Sequence, residues 1–533
     1  MTKTCGEVLV EILESYGIDT VFGIPGVHTV ELYRGLPNTR IRHITPRHEQ
    51  GAGFMADGYA RVTGRPAACF IISGPGMTNI VTAMGQAYSD SIPMLVISSV
   101  NISNELGMGE GRLHELPDQS GLVRGVSVFS HRLLRAADLP AVMARAFAVF
   151  DSARPGPVHI ELPLDVITAP ADDLSRTAHR TLCRPGPDPD AIARAAALLR
   201  DARDPFVVLG GGTVGAVDNA RALVEKLGAP VALTINAKGV LPAGHPLSLG
   251  SSLPQPPVLA ALQAADVVLA IGTELGETDT LLFGQSLALS GRLIRIDIEA
   301  EQTTRNALPA VAICSDAGLA MRALADALPA HEAGAATARV ARLRAEAEGH
   351  LRPEYRLHRR FLEAVAEALP GIAIVGDSTQ PVYGGNLAHE PAGPRSWFNS
   401  STGYGTLGYG LPAALGAKLG APDRPVAALI GDGGIQFTIG ELATAAELRL
   451  PVPILLWNNR GYGEIKQYMA DRGIPQIGVD IYTPDFQTIA RGFGCHALKA
   501  EGWAHLGDAL REAVRADGPT IIEIDDDAIR GWP

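Results

Sequence analysis

The chain has 533 residues, of which 46% are hydrophobic and 19% are charged, and a globular chain of this length predicts about three domains at roughly 100–200 residues each. Its net charge of −12 argues against a nucleic-acid surface, because phosphate binding needs clustered Lys and Arg. The sequence contains no run of 18 or more apolar residues, so no membrane span is expected. Five scattered cysteines without a CxxC pair favour reduced thiols in a cytoplasmic protein over a disulfide framework or a zinc site.

In the first third, helix and strand signals alternate. Strands are predicted at 20–22, 41–44, 67–72 and 94–98, a helix at 7–16, and a second, small-residue helix that ends at residue 63. Strands separated by helices of ten or more residues predict a parallel, doubly wound sheet. A polar, proline-rich linker from about 169 to 190 bounds this first domain, which is expected over 1–170.

The middle third repeats the alternation, with strands predicted at 205–209, 231–234, 267–271 and 293–296. A second α/β domain is therefore expected over 191–330. The run Gly210-Gly211-Gly212 follows a strand and is compatible with either a nucleotide site or a tightly packed turn. An Ala-rich, charged stretch at 333–349 predicts a solvated connecting helix or a linker.

The last third, expected to be a domain over 353–533, has strands predicted at 372–375, 426–430 and 453–457. It looks like the first third in plan, although no strict sequence repeat is visible. The predicted fold class is thus α/β, with three doubly wound parallel-sheet domains.

Polar residues follow two of the last strands. Asp432 and Asn459, 27 positions apart, each come directly after an apolar run, and in a parallel sheet such strand ends meet at one edge. Their carboxylate and amide oxygens suit Mg²⁺, and Gly431, Gly433 and Gly434 leave backbone N–H groups free for a diphosphate. An ordinary β–turn–α unit with an acidic turn is the alternative for GDG alone; the second motif at this distance favours the metal–diphosphate interpretation.

GDG followed after about 24 residues by NN resembles the signature of thiamine-diphosphate (ThDP) enzymes. The similarity is to the branch that contains acetolactate synthase, benzoylformate decarboxylase and related 2-oxo acid decarboxylases. It implies a pyrimidine-binding domain, a middle domain and a diphosphate-binding domain in that order, in enzymes where the cofactor acts as the electron sink and the protein positions it.

The stretch RHEQGAGFMADGYAR resembles the family motif around its activating glutamate, which implies a catalytic role for Glu49. That glutamate bonds the cofactor's pyrimidine ring, and burial against the ring is expected to raise its pKa. Without the other motifs, a glutamate that caps a helix would be the better interpretation.

The resemblance also implies the cofactor and metal residues. Mg²⁺ is expected on Asp432, Asn459 and the backbone oxygen of Gly461. Asp377 is expected to face away from the phosphates. The expected cofactor contacts are Ser378, Thr379, Gly405, Leu407, Gly431, Asp432, Gly433, Gly434, Asn459, Gly461 and Tyr462.

In the family the activating glutamate acts on a cofactor held by another subunit, so a homodimer or homotetramer is expected, with no membrane partner. Benzoylformate decarboxylase has a serine where Val27 stands, which leaves His28 and His114 as acid–base candidates, unless these histidines are structural. The residues expected near the substrate are Val27, His28, Ser73, Gly74, His114, Glu115, Glu464 and Tyr468.

Several departures argue against acetolactate synthase. Leu164 replaces an expected lysine, Tyr468 an expected tryptophan, and Gly272-Thr273-Glu274 a pattern associated with FAD, which makes FAD unlikely. Glu115 and Glu464 place carboxylates in the expected substrate pocket. A carboxylate in an otherwise apolar pocket needs a partner, and a guanidinium would supply one with bidentate geometry. The loop LHELPDQ also resembles that of 2-ketoarginine (5-guanidino-2-oxopentanoate) decarboxylases.

We therefore expect a non-oxidative 2-oxo acid decarboxylase that converts 5-guanidino-2-oxopentanoate to 4-guanidinobutanal and CO₂. The alternative is a carboligase that joins two 2-oxo acids, as acetolactate synthase does. A binding protein that kept the fold without the chemistry is a third hypothesis, which the presence of Glu49, Asp432 and Asn459 disfavours.

Overall fold

Three parallel β-sheets, one in each third of the chain, form the framework of the protein. The structure is a computed structural model and describes residues 2–180, 183–330 and 334–532. α-Helices separate successive strands in all three, except that only a short 3₁₀ helix lies between the last two strands of the second sheet, and this alternation confirms the predicted α/β class. Residues 181 and 182 of the predicted linker, and residue 333 of the predicted connecting stretch, lie outside the described residues.

The first sheet has six strands in the order β2-β1-β3-β4-β6-β5. Its first helix begins at Cys5 rather than at residue 7, because Thr4 and Glu7 form a reciprocal capping box. The strands are β1 (Thr20–Gly23), β2 (Arg42–Ile44), β3 (Ala67–Ile71), β4 (Met94–Val100), β5 (Phe129–Arg132) and β6 (Pro157–Pro163). The helices are α1 (Cys5–Ser15), α2 (Val30–Gly35), α3 (Glu49–Thr63), α4 (Pro75–Ser89), α5 (Gln119–Val123), α6 (Leu139–Ser152) and α7 (Leu164–Ile167).

The second sheet has five strands in the order β11-β10-β9-β7-β8. The strands are β7 (Pro205–Leu209), β8 (Val231–Leu233), β9 (Val267–Ile271), β10 (Arg292–Asp297) and β11 (Val311–Cys314). The helices are α8 (Pro189–Asp201), α9 (Val217–Leu227), α10 (Pro256–Ala264), α11 (Glu277–Thr280), α12 (Ala317–Ala327) and α13 (Gly334–His350). A Cβ at Gly210 would lie 2.2 Å from the oxygen of Gly272, so the glycine run forms a tightly packed turn.

The third sheet has six strands in the order β13-β12-β14-β15-β17-β16. Counted from its own first strand, this is the order of the first sheet, which confirms that the two outer thirds share a plan. The strands are β12 (Ala373–Gly376), β13 (Trp397–Asn399), β14 (Val426–Gly431), β15 (Pro453–Asn458), β16 (His496–Lys499) and β17 (Thr520–Asp525). The helices are α14 (Pro353–Ala368), α15 (Gln380–Ala388), α16 (Gly410–Gly420), α17 (Asp432–Ile435), α18 (Glu441–Glu447), α19 (Gly463–Asp471), α20 (Phe486–Gly492) and α21 (Trp503–Ala513).

Helices α3 and α16 join the two outer thirds. They cross where glycines let the backbones touch: a Cβ at Gly58 would lie 1.9 Å from the oxygen of Ala413, and one at Gly416 would lie 1.9 Å from that of Met55. One apolar core cluster surrounds this crossing and includes residues of both sheets. The two helices are therefore fixed against each other by steric fit.

Among the helices that the structure describes, none has the length and apolarity to cross a bilayer. All five cysteines are unpaired, and Cys5, Cys69 and Cys495 are buried.

Candidate active site

The polar edge predicted in the last third is formed by two neighbouring strands. Strand β14 ends at Gly431, which is paired in parallel with Trp457 of β15, and β15 ends one residue later, at Asn458. Asp432 and Asn459 therefore leave the sheet side by side, as the spacing predicts. Asp432 is 1% exposed, and its burial raises the pKa of the carboxyl, an effect that hydrogen bonds from the Asn459 backbone and the Thr483 hydroxyl oppose.

Three polar groups, which we call the oxygen triad, converge at this edge: the Asp432 carboxylate, the Asn459 side-chain amide and the Gly461 backbone oxygen. The Asn459 amide has two orientations: in one its nitrogen donates to Gln380 Oε1 at 2.9 Å, and in the other it donates to Asp432 Oδ1 at 3.1 Å and to the Gly461 oxygen at 2.8 Å. The first orientation turns the amide oxygen toward Asp432 and Gly461, as a shared cation would require. Octahedral Mg²⁺ with bonds of about 2.1 Å sets neighbouring ligand oxygens about 3.0 Å apart, so the arrangement fits the edges of such a coordination sphere.

The glycines around this oxygen triad are packed against the other predicted cofactor residues. A Cβ at Gly433 would lie 2.7 Å from the ring of Tyr462, and one at Gly431 would lie 3.0 Å from Thr379 Oγ1. Within the described ranges no group of three His, Cys, Asp or Glu side chains could hold a metal. A cation at the triad would therefore be bound by one carboxylate and neutral oxygens.

Asp377 caps the start of α16 from inside the protein. Its carboxylate accepts from the backbone N–H groups of Gly410, at 2.8 Å, and Ser378, at 2.9 Å, and burial raises its pKa to about 6. The Ser378 hydroxyl lies 3.0 Å from that of Ser400 and 3.4 Å from the oxygen of Thr406. Ser378 thus contacts the segment that carries Gly405 and Leu407.

The segment around Gly405 leaves space for a ligand. Gly405 is exposed and has a φ of +75°, and nothing lies within 4 Å of a Cβ built on it. Leu407 is half-buried. A left-handed residue with open space beside its backbone can present its carbonyl oxygen to a ligand.

In the first third, Glu49 occupies the first turn of α3 and is half-buried. Its Oε2 accepts from Asn79 Nδ2 at 2.9 Å, and a Cβ on Gly76 would lie 3.3 Å from its Oε1. The glutamate therefore lies beside the N-terminal turn of α4.

The same turn of α4 brings together the candidate histidines. His28 Nδ1 lies 2.7 Å from Ser73 Oγ, and its ring lies edge-on to that of His114, with centroids 5.1 Å apart. A Cβ on Gly74, whose φ is +68°, would lie 2.8 Å from the oxygen of His114. Burial, and secondarily the charge of His114, lowers the pKa of His28, while Nδ1 of His114 is buried with no hydrogen-bond partner among the described residues.

Val27 and Glu115 lie at the rim of this group. Val27 is 63% exposed. The Glu115 carboxylate accepts from the backbone N–H groups of Arg112, at 2.9 Å, and Gly109, at 2.7 Å, and these bonds lower its pKa. Glu115 thus closes its own loop, and its oxygens are satisfied from within the loop.

Glu464 and Tyr468 lie on α19, a helix with no fully buried residue. Glu464 is half-buried, and burial raises its pKa, although the charge of Arg352 opposes this. No hydrogen bond or ion pair is made by its carboxylate within the part of the chain that the structure describes. Tyr468 is 53% exposed, and the guanidinium of Arg472 lies 3.7 Å from its ring centroid.

The candidate residues thus form two clusters. The first-domain cluster contains Val27, His28, Glu49, Ser73, Gly74, His114 and Glu115; the last-domain cluster contains Ser378, Thr379, Gly405, Leu407, Gly431–Gly434, Asn459, Gly461, Tyr462, Glu464 and Tyr468. No hydrogen bond or ion pair between described residues joins the two clusters. Gln380, which orients Asn459, escaped sequence reasoning, and its place four residues past β12 is the signal that could have indicated it.

Comparison with known families gives three consecutive matches. Residues 3–122 match the thiamine pyrophosphate enzyme N-terminal TPP binding domain, residues 192–324 the central domain, and residues 372–524 the C-terminal TPP binding domain. They include strands β1 to β4 of the first sheet, the whole second sheet and all but the last residue of the third.

Similar curated proteins span nearly the whole chain. A probable 2-ketoarginine decarboxylase of Pseudomonas aeruginosa is 49% identical over 98% of this chain and 94% of its own length. The acetolactate synthase isozyme 1 large subunit of Escherichia coli is 34% identical over 98% of this chain and 94% of its own. The acetolactate synthase large subunit of Corynebacterium glutamicum is 32% identical over 99% of this chain and 88% of its own length. Because the three domain matches occur in order over most of the chain and these relatives span nearly all of it, the chain belongs to the family of thiamine pyrophosphate (ThDP) enzymes.

Proposed function

We propose that this protein catalyses the ThDP-dependent, non-oxidative decarboxylation of a 2-oxo acid, and that the acid is 5-guanidino-2-oxopentanoate, which gives 4-guanidinobutanal and CO₂. The observation that carries the proposal is the 49% identity to a probable 2-ketoarginine decarboxylase over 98% of the chain. The unpaired, half-buried carboxylate of Glu464, five residues beyond Asn459, supports it because a guanidinium would supply the missing partner.

Mg²⁺ at the oxygen triad would join the cofactor's diphosphate to the last domain. The convergence of Asp432, Asn459 and Gly461 supports this assignment, because with its amide oxygen turned toward the other two groups Asn459 would supply ligand oxygens at spacings of 3.1 and 2.8 Å, which suit octahedral Mg²⁺. The turn of Gly433 and Gly434 would contact the diphosphate through its backbone N–H groups.

When bound, ThDP supplies the nucleophilic carbon and the electron sink of the reaction. Glu49 would hold a proton against the pyrimidine ring, kept in orientation by the hydrogen bond from Asn79. Gly405 would accept a hydrogen bond from the ring's amino group through its carbonyl, and Leu407 would pack against the cofactor.

After CO₂ leaves, one proton must be added to the reacting carbon to form the aldehyde. His28 is the group we propose to move it, because Ser73 orients its Nδ1 and leaves Nε2 available. Its lowered pKa makes the ring neutral at physiological pH, so it would relay a proton rather than store one. His114 would pack against His28 and fix the ring plane.

The active form we propose is a homodimer or homotetramer in which Glu49 of one subunit serves the cofactor held by another. The separation of the candidate residues into two unjoined clusters on one chain supports this assembly. The unpaired cysteines support a reducing compartment, and we propose a cytoplasmic location.

A panel of 2-oxo acids tests the proposal directly. With ThDP and Mg²⁺ present, CO₂ release from 5-guanidino-2-oxopentanoate should exceed that from pyruvate, 2-oxobutanoate and benzoylformate, and the aldehyde should form in equal amount. Equal or faster turnover of pyruvate would contradict the substrate assignment.

A carboligase is the second candidate, because two acetolactate synthase subunits match the chain at 34% and 32% identity. Product analysis with pyruvate alone decides between the two: acetolactate as the main product would establish the carboligase. We propose that the enzyme works without FAD, and the absorbance spectrum of the purified protein between 350 and 500 nm, where flavins absorb, tests that at the same time.

A further inference from the structure

A buried ionic cluster lies where the three domains meet, and none of its three charged residues belongs to either candidate cluster. Arg61 donates from Nε to Asp57 Oδ1 at 2.6 Å and from one terminal nitrogen to Asp90 Oδ2 at 2.5 Å. The side chains of Arg61, Asp57 and Asp90 are 6%, 0% and 2% exposed. Two carboxylates thus share one guanidinium in a site that water does not reach.

The other domains bind to this cluster through neutral donors. Tyr409 of the last domain donates to Asp57 Oδ1 at 2.5 Å, and Thr402 donates to both oxygens of Asp90, at 2.8 and 2.7 Å. Asn236 of the middle domain donates to Asp90 Oδ1 at 3.2 Å. Every one of these bonds crosses a domain boundary.

The positions of the two last-domain donors are informative. Thr402 and Tyr409 are the residues on either side of the segment 403–408, which carries Gly405 and Leu407. Both ends of the segment are therefore fixed to the first domain, whereas the segment between them is exposed at Gly405, and nothing lies near its missing Cβ. Within the segment, bonds from the Gly405 N–H to the Ser400 oxygen and from the Thr438 hydroxyl to the Gly408 oxygen, both inside the last domain, add to these two anchors.

The cluster also fixes the helix that begins with Glu49. Asp57 and Arg61 lie on α3, two and three turns after Glu49, and α3 crosses α16 at Gly58 with backbone contact. The helix that carries Glu49 is thus connected to the segment 403–408 by the hydrogen bond from Tyr409 to Asp57 and by the close packing at Gly58.

The ionic character of the cluster needs an explanation beyond stability. Removing charges from water on burial is costly, and apolar replacements of such clusters are often as stable as the ions or more stable. Asp57 Oδ2 in addition has no hydrogen-bond partner among the described residues. Directional bonds, by contrast, define one register of the helices where apolar contacts would allow several.

We propose that the Asp57–Arg61–Asp90 cluster is a positioning device that holds the segment 403–408 in the conformation that binds ThDP, through the hydroxyl groups of Tyr409 and Thr402. The inference rests on membership of the ThDP enzymes and not on the identity of the 2-oxo acid. Tyr409 and Thr402 are positioning residues, because they act on the cofactor through Gly405 and Leu407.

Two tyrosine variants test the proposal, and the second is a matched control. Tyr409→Phe removes the hydroxyl that the last domain donates to Asp57. Tyr59→Phe, on α3 two residues after Asp57, removes a hydroxyl that donates to Asp19 at 2.5 Å inside the first domain. Both tyrosines are buried, at 0% and 2% exposure. Similar losses of melting temperature are therefore expected from the two variants.

The readout is ThDP binding to protein freed of cofactor, measured by tryptophan fluorescence during titration with ThDP at fixed Mg²⁺, without any 2-oxo acid. We expect Tyr409→Phe to raise the dissociation constant of ThDP by about fivefold or more, and Tyr59→Phe to leave it within twofold. Thr402→Val should weaken ThDP binding in the same way, and Thr402→Ser, which keeps the hydroxyl, should restore it.

Kinetics with the best 2-oxo acid of the panel complete the test. The half-saturating ThDP concentration should rise in Tyr409→Phe while the KM for the 2-oxo acid stays within twofold. Unchanged ThDP binding in folded Tyr409→Phe and Thr402→Val would overturn the proposal, as would equal weakening by Tyr59→Phe. Because binding is measured without substrate, a wrong assignment of the 2-oxo acid would leave these outcomes unaffected.

Discussion

The oxygen triad of the last domain and the Glu115 loop of the first are both parts of the candidate active site, but they are built on opposite principles. Asp432 is buried, and its Oδ1 lies 3.1 Å from the side-chain amide of Asn459. The oxygens of Glu115 accept backbone N–H groups of Arg112 and Gly109. The triad is the site where we propose that a cation binds, whereas the Glu115 carboxylate has its partners within its own loop.

The same contrast separates two glutamates that we placed near the substrate. Glu464 is half-buried and has no hydrogen-bond or ion-pair partner among the described residues, and burial raises its pKa. Glu115 has its partners, and they lower its pKa. Carboxylates without an internal partner are therefore the better candidates for contact with a charged ligand, and the variants below test that rule from the largest expected effect to the smallest.

Asp432→Asn should have the largest effect, because it removes the triad's charge. Loss of groups that only orient a metal ligand costs about 10–100-fold, so loss of the carboxylate itself should weaken Mg²⁺-dependent ThDP binding by at least about 100-fold and reduce activity below detection. Titration with Mg²⁺ at fixed ThDP measures the effect. Asp480→Asn is the control: this carboxylate is 67% exposed and pairs with Lys466. Normal Mg²⁺ dependence in Asp432→Asn would remove the triad from the cofactor site.

Glu49→Gln should leave the triad intact and affect the chemistry. Loss of a positioned acid–base group reduces rates by about 10²–10⁴-fold, so kcat should fall by that range while ThDP stays bound. ThDP released on denaturation measures the bound fraction. Asn79→Ala, which removes the hydrogen bond to Glu49, should give a smaller loss in kcat. A Glu49→Gln variant with normal kcat would make Glu49 a helix-capping residue, as its place in the first turn of α3 allows.

Sequence alone could predict the parts of this site that follow from local pattern. Asp432 and Asn459 were predictable because each follows an apolar run that ends in turn residues, and parallel strands bring such ends together. For the first and last thirds, the sequence predicts a similar alternation of helices and strands. It does not predict their identical strand order, since strand order depends on contacts between distant segments.

The buried ionic cluster and the closed Glu115 loop were not predictable in this way. Asp57 bonds Tyr409, 352 positions away, and no local pattern encodes such a partner. The Glu115 bonds depend on Gly109 and Gly111, whose φ values are +69° and +72°, and a loop rich in glycine has many conformations open to it before tertiary contacts choose one.

Glu464→Gln should change the choice of substrate more than the rate of the chemistry. A hydrogen bond to a charged partner is worth about 1.5–3 kcal/mol, so kcat/KM for 5-guanidino-2-oxopentanoate should fall by about 10- to 100-fold relative to that for an apolar 2-oxo acid. Asp508→Asn, on α21, is the control for the loss of one carboxylate charge, because this side chain is 69% exposed and pairs with Arg511. Equal losses for both substrates would remove Glu464 from the pocket.

The pH dependence of that selectivity follows from the direction of the Glu464 pKa. Because burial raises it, the carboxyl becomes protonated, and loses its attraction for a guanidinium, at a higher pH than an exposed glutamate would. The ratio of kcat/KM values for the guanidino and apolar acids should therefore fall as pH decreases through this raised pKa. In Glu464→Gln the ratio should be independent of pH over the same range.

Glu115→Gln should have the smallest effect and is the sharpest test of the contrast. A surface carboxylate that only closes its own loop contributes little, so we expect kcat/KM to change by less than about fivefold, and by the same factor for guanidino and apolar acids. The bonds from Arg112 and Gly109 lower the pKa of Glu115, so any loss of loop order in the native protein should appear only under acidic conditions, below the ordinary glutamate range. Limited proteolysis of residues 105–118 would report that loss. A selective loss of the guanidino acid in Glu115→Gln would instead mean that substrate draws the carboxylate away from its own backbone, and that an internally satisfied group can still choose the ligand.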